Sequence, residues 1–231
     1  ALLSAFILKA QPVLTFHDYS ALNMAGDTVY MSQYYGKKVM VVNVASFCAY
    51  TPQYTPLQEV YAAYSQAYNF EIIGFPSDDF ANQGGNDSDI VQTCNSYGVT
   101  FPIMDKVHVA SGNIAPVFQW LEQASLNGVA NAIVTWNFNK FLIDEAGHWV
   151  RHYTQATQPD DSAIIHWIVD TPSVVSGIRE SLTKDFIEMK SANPGRSIDF
   201  ALKKTDNQKL EINLFNAEGR WIRNIFTGVA D

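Results

Sequence analysis

Hydrophobic residues along this chain fall into two textures. Up to about residue 170, short continuous apolar runs alternate with stretches of helical period. Val39 to Ala45 is one such run, rich in valine, and reads as a strand buried on both faces. Two helix-start signals follow, Thr51-Pro52 and Thr55-Pro56. Proline suits the first helical position, and Thr55 with Gln58 has the pattern of a capping box. Leu57, Val60, Tyr61, Tyr64 and Tyr68 then recur at helical spacing. Phe70 to Phe75 is a second buried run, so the three segments form a βαβ unit with parallel strands. Pro76 to Asp87 is a polar loop containing Gly84-Gly85. Asp87 or Ser88 can cap a short helix with Ile90, Val91, Cys94 and Tyr97 on one face, and Gly98 stops it. Trp136 to Ile143 and His148 to Tyr153 read as strands joined through Asp144-Glu145-Ala146-Gly147, a hairpin signal. Ile164, Ile165, Ile168 and Val169 mark a last amphipathic helix.

The order β-α-β-α-β-β-α is that of a thioredoxin-like α/β domain, a central mixed sheet flanked by helices, over residues 14–170. Past it the texture changes. Residues 171–185 read as a linker, within a mixed stretch that reaches Asn193. In residues 186–231, Ile198, Phe200 and Leu202 alternate with polar or small residues, as do Leu210, Ile212 and Leu214. Arg220 to Phe226 follows a Glu218-Gly219 turn. Period-two patterning predicts antiparallel strands with one wet face, a small all-β segment resembling part of a sandwich.

Composition narrows the function classes. The 231 residues are 47% hydrophobic and carry a net charge of -8 with no Lys/Arg-rich stretch. Nucleic acid and anionic membrane are therefore poor partners. Two cysteines make neither a disulfide scaffold nor a cysteine-built zinc site. His17, His108, His148, His152 and His166 show no ligand spacing, so no metal or cofactor is expected. No apolar run reaches the roughly 18 residues that span a bilayer. Residues 1–13 open with ALLSAFILKA, which reads either as the remnant of a signal peptide or as an ordinary N-terminal arm.

Cys48 carries the candidate chemistry. It lies in NVASFCAYTPQY, at the turn that leaves the first buried strand and opens a helix. Only a thiolate attacks, and a helix N-terminus favours the anion. A buried structural cysteine is the alternative. The carboxyl end of a parallel strand, where open α/β sheets place their sites, favours function. The residue three positions on is Thr51, so a CxxC dithiol exchange is not available. Cys48 could instead attack a peroxide, become a sulfenic acid and await a second thiol.

Four blocks in order, VVNVASFCAYTPQY, FPSDDFANQ, YGVTFPIMDKVHV and WNFNKFLIDEAGHWV, resemble the glutathione peroxidases over residues 14 to 170. The resemblance implies a peroxidatic cysteine at Cys48, assisted by Gln83, Trp136 and Asn137, with Cys94 as the resolving thiol of the thioredoxin-dependent type. An amide and an indole N–H can donate to a thiolate or to a departing oxygen without carrying charge. It further implies reduction of hydrogen peroxide and organic or lipid hydroperoxides, with a thioredoxin-like or glutathione reductant. Closing a Cys48–Cys94 disulfide brings the two Cα atoms within about 7 Å, so the 88–98 helix is expected to unwind locally during turnover.

Several positions depart from the family pattern. Phe47-Cys48-Ala49 replaces Lys-Cys-Gly. Gln83-Gly84-Gly85-Asn86 replaces Gln-Glu-Pro-Gly, which predicts a looser loop. Ser77 stands where a further cysteine is common. No arginine cluster is present to hold the carboxylates of glutathione, which favours a thioredoxin-like reductant. The short stretch between Pro102 and Trp136 resembles that of compact monomeric members. Two other readings share these residues: a thiol-disulfide oxidoreductase or redox sensor, and a secreted non-enzymatic protein with a degenerate peroxidase domain. The segment SANPGRSIDFALKKTDNQKLEINLFNAEGRWIRNIFTG resembles the opening half of type IX secretion sorting domains. That resemblance implies export from a Gram-negative bacterium to the periplasm, surface or medium. Without it, the alternatives are a cytoplasmic protein and an extension that docks on the first domain.

Overall fold

Alternate residues of the two apolar runs point to opposite sides of one sheet, and that division organises residues 14–169. The computed structural model describes residues 14–170 and, beyond them, the strands Ile187–Asn193, Ser197–Leu202, Lys209–Phe215 and Trp221–Val229. In the first unit the elements run β1 (Ser20–Leu22), β2 (Thr28–Tyr30), β3 (Lys38–Val44), α1 (Tyr54–Tyr64), β4 (Phe70–Pro76), α2 (Asp87–Ser96), α3 (Pro116–Glu122), α4 (Ala124–Asn127), β5 (Lys140–Ile143), β6 (Trp149–Tyr153) and α5 (Ser162–Val169). The main sheet has the order β4-β3-β5-β6. β3 and β4 are parallel, from Lys38 opposite Phe70 to Val44 opposite Pro76. β5 runs antiparallel to β3 and to β6.

Every residue of β3, β4 and β5 is buried, as strands covered on both faces require. On one face, Val39, Val41, Ile73, Phe75, Phe141 and Ile143 pack with Val117, Phe118, Trp120 and Leu121 of α3. On the other, Met40, Val42, Val44, Phe70, Ile72 and Leu142 pack with Tyr54, Leu57 and Val60 of α1 and Ile164 and Ile168 of α5. Full burial of a side chain such as Leu57 stabilises by about 2 kcal/mol. The thioredoxin-like α/β fold expected from the pattern is present, with the hairpin β1–β2 and the helices α3 and α4 in addition.

Four local expectations differ from the structure. The Thr55/Gln58 capping box does not form, because the chain enters α1 through a 3-10 turn, Thr51–Gln53, whose proline sits in its first turn. Gln58 instead clasps Thr100, donating to its hydroxyl at 2.9 Å and accepting its N–H at 2.8 Å. The cap of α2 is Asn86, which forms a reciprocal box with Asp89. The run from Trp136 is a strand only from Lys140, since Trp136 to Asn139 make a turn. On α2, Ile90 is buried but Val91 is 49% exposed, so the apolar face is narrower than the spacing suggests.

A second unit comprises residues 170–231. Ile187–Asn193 (β7) pairs antiparallel with Ser197–Leu202 (β8), and Lys209–Phe215 (β9) with Trp221–Val229 (β10). Three of these strands match the period-two segments, while β7 occupies part of the mixed stretch. The expected arm or signal remnant at 1–13 and the linker at 171–185 lie outside the described residues.

Candidate active site

Cys48 sits in the turn that leaves β3 and is almost wholly buried. Thr51, which stands where a dithiol motif would place its second cysteine, fastens that turn. Its hydroxyl accepts the Cys48 N–H at 3.0 Å and donates to the Ala45 carbonyl at 2.9 Å. The Cys48 Sγ accepts the Tyr50 N–H at 3.4 Å. A local backbone amide, that of Tyr50, thus faces the sulfur. Phe47 is 61% exposed beside it.

The 77–86 loop brings Gln83 to this turn. The Gln83 carbonyl accepts from the N–H groups of both Ser46 and Phe47 at 3.0 Å. The loop is pinned rather than loose. The Gly84 N–H donates to Asp78 Oδ1 at 3.0 Å, and Lys106 Nζ donates to the Gly85 carbonyl at 3.0 Å while pairing with Asp78. Gly85 has φ +86°, and a Cβ there would lie 2.9 Å from that of Asp89 and 3.2 Å from the Phe47 ring. Nearby, Asp79 accepts from the N–H groups of Val109, Ala110 and Ser111 and contacts His108 Nδ1 at 2.6 Å. Burial alone would raise the Asp79 carboxyl. The His108 ring and the three amides overcome it and hold the group at about 2.

The turn Trp136 to Asn139 supplies the other side. Asn43, a polar residue in the middle of apolar β3, organises it. Its side-chain amide donates to the Trp136 carbonyl at 3.0 Å and its Oδ1 accepts the Asn139 N–H at 2.8 Å. Asn139 Nδ2 also donates to the Trp136 carbonyl, at 2.7 Å. Phe138 takes φ +67°, a conformation that costs a bulky residue about 1–2 kcal/mol. Asn137 Nδ2 then donates to Gln83 Oε1 at 3.0 Å, and Asn137 Oδ1 is buried with no hydrogen-bond partner. The Trp136 ring lies against the Phe80 ring, with centroids 5.5 Å apart, and packs against the buried cluster that contains Cys48. Gln83 and Asn137 are therefore directly bonded, Gln83 holds the backbone next to Cys48, and Trp136 borders the same cluster.

Cys94 is half-buried on α2, and both thiols are free. Burial pushes its thiol up, against a lowering hydrogen bond from Tyr54. Tyr54 stacks on Tyr97 and meets Phe138 edge-on. Between Phe47 and α2 lies a depression of about 300 Å³ lined by Phe47, Asp89, Gln92, Thr93 and Ser96.

The pattern reading missed Asn43, Gln53 and Lys140. Lys140 is fully buried and donates to Gln53 Oε1 at 2.6 Å and to the Phe138 carbonyl at 2.8 Å. Its signal in the sequence is a charge at the head of an apolar strand, as Asn43 is an amide within one.

The family profile described as glutathione peroxidase matches residues 16–122. A glutathione peroxidase of Lactococcus lactis subsp. cremoris is 40% identical over 150 residues, which is 64% of this chain and 94% of that protein. The hydroperoxy fatty acid reductase gpx1 of Synechocystis sp. is 36% identical over 165 residues, 68% of this chain and 96% of that protein. The apo crystal structure of Trgpx superposes with a TM-score of 0.55 at 34% identity, covering 68% of this chain and 97% of the other.

Proposed function

The chain belongs to the glutathione peroxidase family, and from that premise we propose that it is a thiol peroxidase acting through Cys48 as peroxidatic and Cys94 as resolving thiol. The Cys48 thiolate attacks one peroxide oxygen. The O–O bond breaks, the sulfur becomes a sulfenic acid, and the departing alkoxide or hydroxide takes a proton to leave as alcohol or water. Cys94 then attacks the sulfenic sulfur, forming the disulfide and releasing water. A thioredoxin-like reductant returns both thiols.

The observation that carries this reading is the Asn137–Gln83 bond at 3.0 Å, with the Gln83 backbone tied to the residues adjoining Cys48. Two amides from distant segments are bonded to each other, and the backbone of one is tied to the residues preceding a buried thiol. An unpaired buried acceptor, here Asn137 Oδ1, costs about 1–3 kcal/mol and is kept most readily where a substrate or thiol proton can use it. Fatty acid hydroperoxides are proposed substrates beside hydrogen peroxide, supported by the similarity to the Synechocystis reductase. We further propose a monomer that is exported, with residues 186–231 as part of a sorting module. Stopped-flow consumption of hydrogen peroxide tests the core of the proposal. Wild type should show a fast second-order phase that Cys48→Ser abolishes. Equal rates in the two proteins would remove Cys48 from the chemistry.

A further inference from the structure

Lys140 has no part in the chemistry described so far, yet it is placed at a cost. It is fully buried at the head of β5, and among the described residues no carboxylate pairs with it. Its two acceptors, Gln53 Oε1 and the Phe138 carbonyl, are neutral. Burial lowers the amine from the ordinary lysine value to about 7. A methionine would fill similar space without desolvating a charge.

What the amine holds explains its presence. Phe138 is the left-handed residue of the turn that carries Trp136 and Asn137, and its carbonyl is one acceptor. Gln53 closes the Thr51–Gln53 turn that follows Cys48, and Thr51 fastens the Cys48 backbone. Gln53 is held in turn, its Nε2 donating to the Gln155 carbonyl at 2.7 Å. A strained turn and a costly buried amine next to each other are retained where geometry matters more than stability.

We infer that Lys140 is a positioning residue, bridging the segment after Cys48 to the strained turn and so fixing the placement of Trp136 and Asn137 toward the thiol. The inference rests on the peroxidase reading. Lys140 touches neither peroxide nor sulfur and acts through Phe138 and Gln53.

The test is a cycle of the full chain: wild type, Lys140→Met, Asn137→Ala and the double variant, with second-order hydrogen peroxide rates read by stopped-flow. Lys140→Met should slow the reaction about 10- to 100-fold, less than the roughly 100- to 1000-fold of losing a direct site donor, because Lys140 acts only through Phe138 and Gln53. The double variant should be no more than about threefold slower than the slower single, because both remove the same geometry. The rate of the later disulfide step should stay within about twofold, which separates positioning from general loss of structure. Gln53→Leu removes the other end of the bridge and should reproduce the loss, keeping the test intact if Lys140→Met fails to fold. A Lys140→Met rate within twofold of wild type, or losses that multiply in the double variant, would overturn the inference. If Asn137→Ala alone changes nothing, it is the peroxidase assignment of Asn137 that falls, and the same cycle with Trp136→Phe decides for Lys140.

Discussion

At the residue scale, the site is a set of neutral donors and acceptors tied to buried backbone. Gln83 and Asn137 form one hydrogen-bonded pair, so removing either frees the other as well as removing a donor. Gln83→Ala and Trp136→Phe are each expected to slow peroxide attack by about 10- to 1000-fold with the fold retained. Stopped-flow rates within twofold of wild type would make these residues structural only. Two buried bases lie behind the turn, Lys140 bonded to the Phe138 carbonyl and His152 to Asn139. Burial, and then the charge of Lys140, hold His152 at about 4, and burial holds Lys140 at about 7. Both groups bind protons less well folded than unfolded. Between about pH 7 and 9 the unfolded chain keeps a proton that folded Lys140 has given up, so its contribution to stability rises with pH across that window. His152 loses stability as pH falls from 6.5 through 4 by the same sign. Urea unfolding of wild type and Lys140→Met should show the difference between them moving in favour of wild type from pH 7 to 9, and the opposite slope would refute it. Motif order put forward Cys48, Gln83, Trp136 and Asn137 as candidates, and the structure adds the bond between Asn137 and Gln83. Lys140 and Asn43 were not legible in the sequence, because a polar residue in an apolar run has no period to betray it and is explained only by what it bonds across the sheet.

At the element scale, the proposed Cys48–Cys94 disulfide would require α2 to open. Its start is pinned by the Asn86/Asp89 box, by Lys106 on Gly85, and by Gly85 itself pressed against Asp89 and Phe47. Opening α2 therefore has a defined cost, contrary to the looser loop that two adjacent glycines suggested. The glycines are required by close approach and a positive φ, not by slackness. Gly85→Ala should destabilise by about 1–2 kcal/mol from backbone strain alone, plus the clash with Asp89. Thermal unfolding reads this directly, and an unchanged midpoint would mean that the loop relaxes freely. Cys94→Ser should still permit one oxidation of Cys48 and then stall with thioredoxin, because the sulfenic acid has no internal partner. Full steady-state turnover of that variant would show that Cys94 does not resolve. Helix and strand identities were largely legible here, since buried strands read as continuous runs. The boundary at Lys140 was not, because Asn43 and Asn139 hold the preceding residues in a turn whose alternation of aromatic residues and asparagines imitates a strand.

At the scale of the whole molecule, the two textures of the sequence correspond to two units, and the first is self-sufficient by its contacts. Both faces of its sheet are covered by its own helices and loops, through the clusters around Phe118 and around Leu57. Among the described residues, the second unit has two antiparallel strand pairs, β7–β8 and β9–β10. Two-stranded pairs are marginal alone in water and need a further layer. Two proposals for this segment are to be separated: a sorting module, and an extension that docks on the first unit. Removing residues 186 onward separates these. If the segment is a sorting module, the truncated protein keeps its peroxide rate and its unfolding midpoint, because the covered sheet of the first unit loses nothing, and it accumulates inside the cell while the full chain is exported. Peroxidase assays on cell fractions and culture medium, run beside thermal unfolding of the purified truncated chain, measure both halves of the prediction. Normal export of the truncated chain would sink the sorting reading. Loss of cooperative unfolding would favour instead the reading in which the segment docks on the first unit.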